Sequence, residues 1–539
     1  MSSTFGSFGV ARLGIYAAQK GLDVTGNNIT NINTPGYTRQ RLDQVSLISS
    51  VSDKYFNQNM TRVGQGVLTT GVSQLRDPGL DLIYREAQAD LGASGGKLEG
   101  LGSLASILDE VGKGDGEQDD GVILSQLNDL RDLISKAVTN GIQGYDSLIR
   151  ESASALCTYL NSTAKKLENL QGTYETYLDQ DIQKVNDILK NIQDLNTSIR
   201  DADIRGDDAL ELRDSRNMLL DELSQYMDID VKYTMEDLGA GFMVEKLTVT
   251  LGTGNQNTLI DGEYAAKIGR FPDDDNYNIQ LYALRDADGQ KKDDNDTDPV
   301  TLGDNDLYGS LQARREMLTE SGEYTTQDTV NNVDKNAAVK RGIPYYRNAL
   351  DSLARELAKE MNALNNVNDV DIPGKGNLFS VGSDTNDTTD ANGQGITAAN
   401  ISVSKGWREG SISMIPSRDP GASSGDTSNL AAFLSLFEKT VEFDPKTLVG
   451  DAVGSPYEGT FEDMLLHIQS TLAEDQMSTS SVYNNYAITA NEIYTDRDSL
   501  SGVDLNDEAT NLMVYQKAYT AACRLMTTLD EALDSLLAM

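Results

Sequence analysis

Two rows of apolar residues, one at each end of the chain, repeat at alternating steps of three and four, the spacing of a coiled-coil seam. At the N-terminus the row is Phe8, Ala11, Ile15, Ala18, Leu22, Thr25, Ile29 and Ile32. At the C-terminus it is Leu512, Tyr515, Tyr519, Ala522, Met526, Leu529, Leu533 and Leu536. Stripes of this kind need a partner, and the simplest partner for each is the other. A chain that closes its own ends into a two-helix stem, with everything else as the body, reads as a building part rather than an enzyme.

The rest of the sequence reads outward from that stem. A first helix is predicted from Ser3 to Asn33, ended by the turn Thr34-Pro35-Gly36-Tyr37, with extended chain from Arg39 to Gly71. Helical periodicity returns from Gly79 to Tyr226, broken by a Gly- and Asp-rich loop at Gly112 to Gly121. Its clearest stretch, Leu160 to Ile199, slips by one residue after Tyr177. From Asp228 to Tyr308 the period becomes two, as in Met243 to Leu251 and Tyr277 to Leu281, which predicts an inserted β domain. Helix follows at Leu311 to Met317 and Pro344 to Leu364, strand and turn at Ile401 to Met414, and helix at Asn429 to Glu438 and from Phe461 onward. The segment Gly382 to Gly395 reads as a surface loop.

The expected fold is therefore mainly α with a β-rich insertion. The terminal helices of 1–40 and 505–539 pair as a coiled-coil stem, 41–227 and 310–504 make a discontinuous helical body, and 228–309 forms an outward β domain.

Charge narrows the partners. With 45 basic against 84 acidic residues the formal charge is −39, which repels nucleic acid and anionic membranes. No apolar run reaches the length of a membrane span. Arg12 and Lys20 interrupt the first stripe, so no general secretory signal is expected. Cys157 and Cys523 both fall in helical patterns and are expected as free, packed thiols.

Few constellations carry chemistry. Gly421-Ala422-Ser423-Ser424-Gly425 has the spacing of a hydrolase nucleophile elbow, and His467, the single histidine, lies downstream with Asp444 or Asp463 available. The elbow needs a strand running into the Ser and a helix leaving it, whereas Pro416 to Pro420 precede and a capping sequence follows. An EF-hand counted from Asp294 fails, with Pro299 sixth and Asn305 twelfth. No catalytic, cofactor-binding or metal-binding residues are expected.

What remains specific is the end of the first helix. Asn27, Asn28 and Asn31 are mediocre helix formers whose amides both donate and accept, which suits contacts between subunits. Composition alone favours reading them as a polar helix tail with an Asn cap.

The run from Asn27 through Ile29, Asn31, Asn33 and Pro35-Gly36-Tyr37 resembles the N-terminal signature of the flagellar rod, hook and hook-associated proteins. Gly502 to Glu508, Asn511-Leu512, Tyr515-Gln516 and Tyr519 resemble the C-terminal one. Within that superfamily the chain is most similar to the hook-associated protein 1 family, the hook-filament junction proteins. The supporting segments are Leu212 to Ser224, Ile343 to Ala354 and Ser424 to Asn429.

The resemblance implies a ring of subunits between hook and filament, touching the hook protein and a second junction protein. It also implies delivery to the cell exterior through the flagellar type III export apparatus with an export chaperone, and no cofactor. The interface it implies comprises Ile15, Leu22, Asn27, Asn28, Ile29, Asn31, Asn33, Pro35, Gly36 and Tyr37, with Leu512, Tyr515, Tyr519, Met526, Leu529 and Leu533. Another flagellar axial role, hook or distal rod, is the alternative; a secreted hydrolase or adhesin is a more distant one.

Overall fold

The structure is a computed structural model that describes residues 4–47, 66–108, 121–239, 243–252, 257–271, 277–293, 298–303, 306–367, 372–388, 395–423 and 425–538. The Gly112 to Gly121 loop lies largely outside these residues, as do the 273–275 and 294–297 acidic stretches and positions 389–394 of the 382–395 loop.

Helix α1 (Thr4–Thr30) leads through the Pro-Gly turn into a two-stranded antiparallel hairpin, β1 (Gln40–Ser46) and β2 (Val67–Gln74). The helical body opens with α2 (Pro78–Leu108), α3 (Val122–Asn140), α4 (Tyr145–Arg205) and α5 (Leu210–Tyr226). The 61 residues of α4 run unbroken, because two successive four-residue steps, Tyr174 to Leu178 to Ile182, absorb the slip in the apolar row. Gly206 ends α4 in the left-handed conformation, donating its N–H to Ala202 and Asp203.

A six-stranded antiparallel sheet follows: β3 (Ile229–Asp237), β4 (Met243–Leu251), β5 (Thr258–Asp261), β6 (Tyr264–Arg270), β7 (Ile279–Arg285) and β8 (Val300–Thr301), paired in sequence order. The sheet lies along α4, which bonds it with a row of amides. Asn186 exchanges two 2.9 Å hydrogen bonds with the backbone of Ile268, Gln193 donates to Glu263 and Arg285, and Asn196 donates to Gly262. These amides satisfy backbone groups that burial would otherwise leave unpaired. One core cluster runs from α4 into the sheet through Leu247, Val249, Ile260 and Ile268, so the hydrophobic interior does not stop at the β insertion's boundary.

The body resumes with α6 (Gly309–Thr319), α7 (Gln327–Asn332) and α8 (Ile343–Asn365), then the pair β9 (Phe379–Val381) and β10 (Ile401–Val403). After β10 the expected turn is instead a short helix, α9 (Lys405–Glu409), capped by the Ser404 side chain. It buries the sole tryptophan, Trp407, whose indole N–H donates to Asp146. Next come α10 (Ser428–Leu436), the pair β11 (Val441–Phe443) and β12 (Tyr457–Gly459), and two long helices, α11 (Phe461–Ser501) and α12 (Leu505–Leu537). Thr460 and Asp463 form a capping box at the start of α11, and Asp504 caps α12.

Helix α2 is held among α11, α5 and α6 by an unusual means. Gly92, Gly96 and Gly100 recur every four residues, and a Cβ there would meet the Gln225 carbonyl, Ala313 and Met317 respectively. Glycine in a helix costs about 1 kcal/mol against alanine. Close approach to the Gln225 backbone at Gly92 and to the Ala313 and Met317 side chains at Gly96 and Gly100 offsets that cost here.

Candidate assembly interface at the joined chain ends

Helix α1 packs antiparallel on α12. Gly14 sits beside Ala522, Gly21 beside the Tyr515 ring, and Asn28 bonds Glu508. Each contact is seven residues further along α1 and seven further back along α12. The face of α1 turned to its partner is therefore Ala11, Gly14, Ala18, Gly21, Thr25 and Asn28, a row of small side chains with Ala11, Ala18, Thr25 and Asn28 fully buried. Of the residues expected at the seam, Ala11, Ala18 and Thr25 lie on this face, whereas Ile15, Leu22 and Ile29 stand one residue to its side and stay partly exposed. On α12, Leu512, Tyr515, Met526, Leu529 and Leu533 are half-buried and Tyr519 is 38% exposed. The β1–β2 hairpin, which sequence position would assign to the body, also lies on α1, with Gly66 against Val10 and Leu13.

Where this pair joins the body, the two chain ends share one buried polar cluster. The Asn28 amide uses its full bonding capacity. Its Nδ2 donates to the Gln40 carbonyl at 2.9 Å and to Glu508 at 3.2 Å, while its Oδ1 accepts from the Tyr37 hydroxyl at 2.8 Å and the Gln40 N–H at 3.0 Å. Glu508, only 1% exposed, takes its counter-charge from Arg39 Nε at 2.8 Å. The Arg39 N–H donates to the Ser501 carbonyl at the end of α11. The Thr38 N–H donates to Asp214, and Gln40 to Glu211, both on α5. Burial first, and then the carboxylates of Glu211, Asp214 and Glu508, push the Tyr37 phenol far above its usual range and keep it a donor.

Asn27 and Asn31 are less central: Asn27 donates to Gln40 at 3.3 Å and accepts from Asn31 at 2.9 Å. Asn33, Pro35 and Gly36 are exposed. Gly36 takes a positive φ of 74° in the turn and lies against Met218, where any Cβ would clash.

Behind the cluster lies a second one that apolar patterning does not detect. Arg76 pairs with Asp81 and approaches Asp214 at 3.9 Å; Arg497 pairs with Asp221 at 2.6 Å and Asp81 at 3.3 Å; Arg85 pairs with Asp221 at 2.9 Å. Three cations and three carboxylates thus join the β2–α2 link, α2, α5 and α11, and Arg497 also stacks over Tyr84 at 4.6 Å. Burial raises the Asp214 carboxyl against the hydrogen bonds from Thr38. The signal was present as polar residues at helical spacing, Asp81-Arg85-Gln88 and Asp214-Asn217-Asp221, on faces that bury without being apolar.

The enzymatic constellation does not gain its context. No strand feeds Ser423 among the described residues: β10 ends at Val403 and α10 begins at Ser428. His467 stacks on Tyr457 with ring centroids 4.3 Å apart, and burial lowers its pKa. Among the described residues no group of His, Cys, Asp and Glu could hold a metal ion, and no helix is long and apolar enough to cross a membrane.

Three family matches fall on these parts. Residues 123–379 match the flagellar hook-associated protein FlgK helical domain, 498–539 the flagellar basal body rod FlgEFG protein C-terminal family, and 10–38 the flagella basal body rod protein family. Flagellar hook-associated protein 1 of Bacillus subtilis is 26% identical over 100% of this chain and 98% of its own length. That of Salmonella typhimurium is 22% identical over 98% of each. The solved flagellar hook junction protein FlgK from Burkholderia pseudomallei aligns at 17% identity and a TM-score of 0.39, covering 56% of this chain and 47% of that one. The N-terminal match covers α1 from Val10 and the C-terminal match covers α12, together holding Asn28, Tyr37, Thr38 and Glu508 of the cluster, and along nearly its whole length the chain is similar to the flagellar hook-associated protein 1 family.

Proposed function

We propose that this chain is a structural subunit of the bacterial flagellum that forms the junction between hook and filament, and that it assembles through its paired terminal helices. The observation that carries the reading is the Asn28–Arg39–Glu508 cluster, where Asn28 of the N-terminal rod-type match bonds Glu508 of the C-terminal one and Arg39, just beyond the first match, supplies the counter-charge. A clamp of that kind builds one assembly element from two distant ends. The seven-residue register of α1 on α12 supports a coiled-coil stem.

On this reading copies of the chain form a ring at the distal end of the hook, with the hook protein below and a second junction protein above. Delivery runs through the flagellar type III apparatus with an export chaperone. No catalysis is involved: Ser423→Ala and His467→Ala leave motility intact. The deciding experiment is electron microscopy of cells lacking the protein. Hooks without filaments are expected; intact filaments would end the proposal.

A further inference from the structure

The chain divides into two units with different interiors. One core cluster runs through the helical body and the sheet, and a small second one lies at the α4–α5 turn; among the described residues neither contains a residue of α1, the β1–β2 hairpin or α12. Each unit has its own polar cluster at the joint. Asn28, Arg39 and Glu508 tie α1, the start of the hairpin and α12 together, whereas Arg76, Arg85 and Arg497 with Asp81, Asp214 and Asp221 tie the ends of α2, α5 and α11. The chain crosses the joint twice, at residues 75–77 between β2 and α2 and at 502–504 between α11 and α12. Both crossings meet at one residue, since the Leu75 N–H donates to the Arg39 carbonyl at 2.9 Å and the Arg39 N–H to the Ser501 carbonyl at 2.8 Å. Links that lie side by side leave rotation about the line through them as the soft motion.

Around that line the bonds across the joint are polar. Thr38 N–H donates to Asp214 at 3.0 Å, Gln40 to Glu211 at 3.1 Å, Gln74 to the Leu210 carbonyl at 3.0 Å and Arg76 to the Thr38 hydroxyl at 3.4 Å, with Gly36 resting on Met218. Units joined by a small polar interface move against each other far more readily than units sharing a core. Space for the motion lies on one side. A cleft of about 590 Å³ separates the hairpin, at Thr70, Gly71 and Val72, from the α4–α5 turn at Asp208 and from Met235 and Met243 of the sheet. It is a wedge. At its inner end Gln74 bonds Leu210 and Gly71 lies beside Asp208, while at its outer end Met235 and Met243 stand 62% and 49% exposed. Methionine is unbranched and adaptable, so closing the wedge lays two yielding apolar side chains against the hairpin.

We propose that α1, the hairpin and α12 turn as one rigid body about the line through Leu75, Arg39 and Ser501, and that this hinge closes the hairpin onto the β3–β4 end of the sheet. Body and sheet stay a single unit, because one core runs through both. The hinge absorbs its motion in a few link residues. It is a property of the single chain and stands apart from the junction role proposed above.

The test places pairs of nitroxide labels on the full chain carrying Cys523→Ser, in which Cys157 is buried and stays unlabelled. Leu68→Cys with Asp237→Cys spans the cleft, and Leu68→Cys with Met513→Cys stays inside the terminal unit; all three sites are exposed. Pulsed electron spin resonance reads the distance distribution of each pair. The expected result is a broad cross-cleft distribution with a component at shorter distance, beside a narrow one inside the terminal unit. Glu211→Ala, which removes the bond from Gln40, should broaden the cross-cleft distribution further and leave the other as it was. Two narrow distributions, unmoved by Glu211→Ala, would mean a fixed joint and overturn the proposal. Two broad ones would mean that the terminal unit unfolds instead of turning, and overturn it as well.

Discussion

Asn28 is the residue on which the two chain ends depend most, because its four hydrogen bonds reach three other residues across 480 positions of sequence. Asn28→Ala leaves the Glu508 carboxylate, the Tyr37 hydroxyl and the Gln40 N–H short of partners, and each buried orphan costs about 1–3 kcal/mol. A loss of about 2–4 kcal/mol in local or global stability is expected by denaturant titration, against less than about 0.5 kcal/mol for Asn27→Ala at its part-exposed site. Asn28→Asp sets two carboxylates face to face. Its acid then holds a proton longer folded than unfolded, so the defect is full at neutral pH and shrinks as pH falls. A thermal series that worsens toward acid would contradict this.

Cysteine accessibility gives a second residue-scale prediction. Burial pushes the Cys157 thiol up to about 12, so in the folded chain at pH 8 Ellman's reagent should titrate one thiol, Cys523, and both only in denaturant. Sequence placed Asn28 in the right neighbourhood but could not distinguish an intersubunit amide from an intramolecular one. That distinction depends on Glu508, which no local pattern links to it.

At the scale of elements, what the sequence made legible were those whose burial is apolar. Helix α4 shows as an apolar row from Leu160 to Ile199, and the change of period at Asp228 marks the sheet. Helix α2 is less visible, because its buried face is built from Asp81, Arg85, Gln88, Gly96 and Gly100. Short α9 escapes because five residues hold no period, and its signal is only the Ser404 cap.

The glycine face makes a sharp prediction. Gly92→Ala gains about 1 kcal/mol of helix propensity and still destabilises, since its Cβ meets the Gln225 carbonyl, which cannot move aside. Gly172→Ala in α4, where a Cβ meets nothing within 4 Å, should stabilise by about 0.5–1 kcal/mol. Equal effects at the two sites in urea titrations would refute the packing account.

The neck of the sheet makes another. Desolvation, then Glu86, Asp90 and Asp230, raises the Asp228 carboxyl. A carboxyl raised by folding costs stability once pH exceeds its folded pKa, and costs nothing below the unfolded value. Asp228→Asn should therefore raise the melting temperature at pH 7 and leave it unchanged near pH 3.

For the whole molecule, the division between body and ends follows from where burial is complete. One core joins the helices to the sheet, and Ile192 on α4 is 0% exposed within it. In the terminal pair, the α12 seam from Leu512 onward is only half-buried. A carboxylate at a fully buried apolar site costs several kcal/mol or forces its own protonation, whereas at a half-buried one it keeps access to water. Ile192→Asp should therefore lower the single melting transition of body and sheet together, read by far-ultraviolet circular dichroism and by the fluorescence of Trp407. Leu529→Asp should leave that transition within about 0.5–1 kcal/mol of the parent and loosen only α1 and α12, as local opening does. Its effect should appear instead in assembly, as lost motility with a stable, exported chain. If Leu529→Asp melts the body as deeply as Ile192→Asp, the ends are part of the body's cooperative unit. The helix pair would then be a structural foundation and not an element free to be specialised for contact with neighbouring copies.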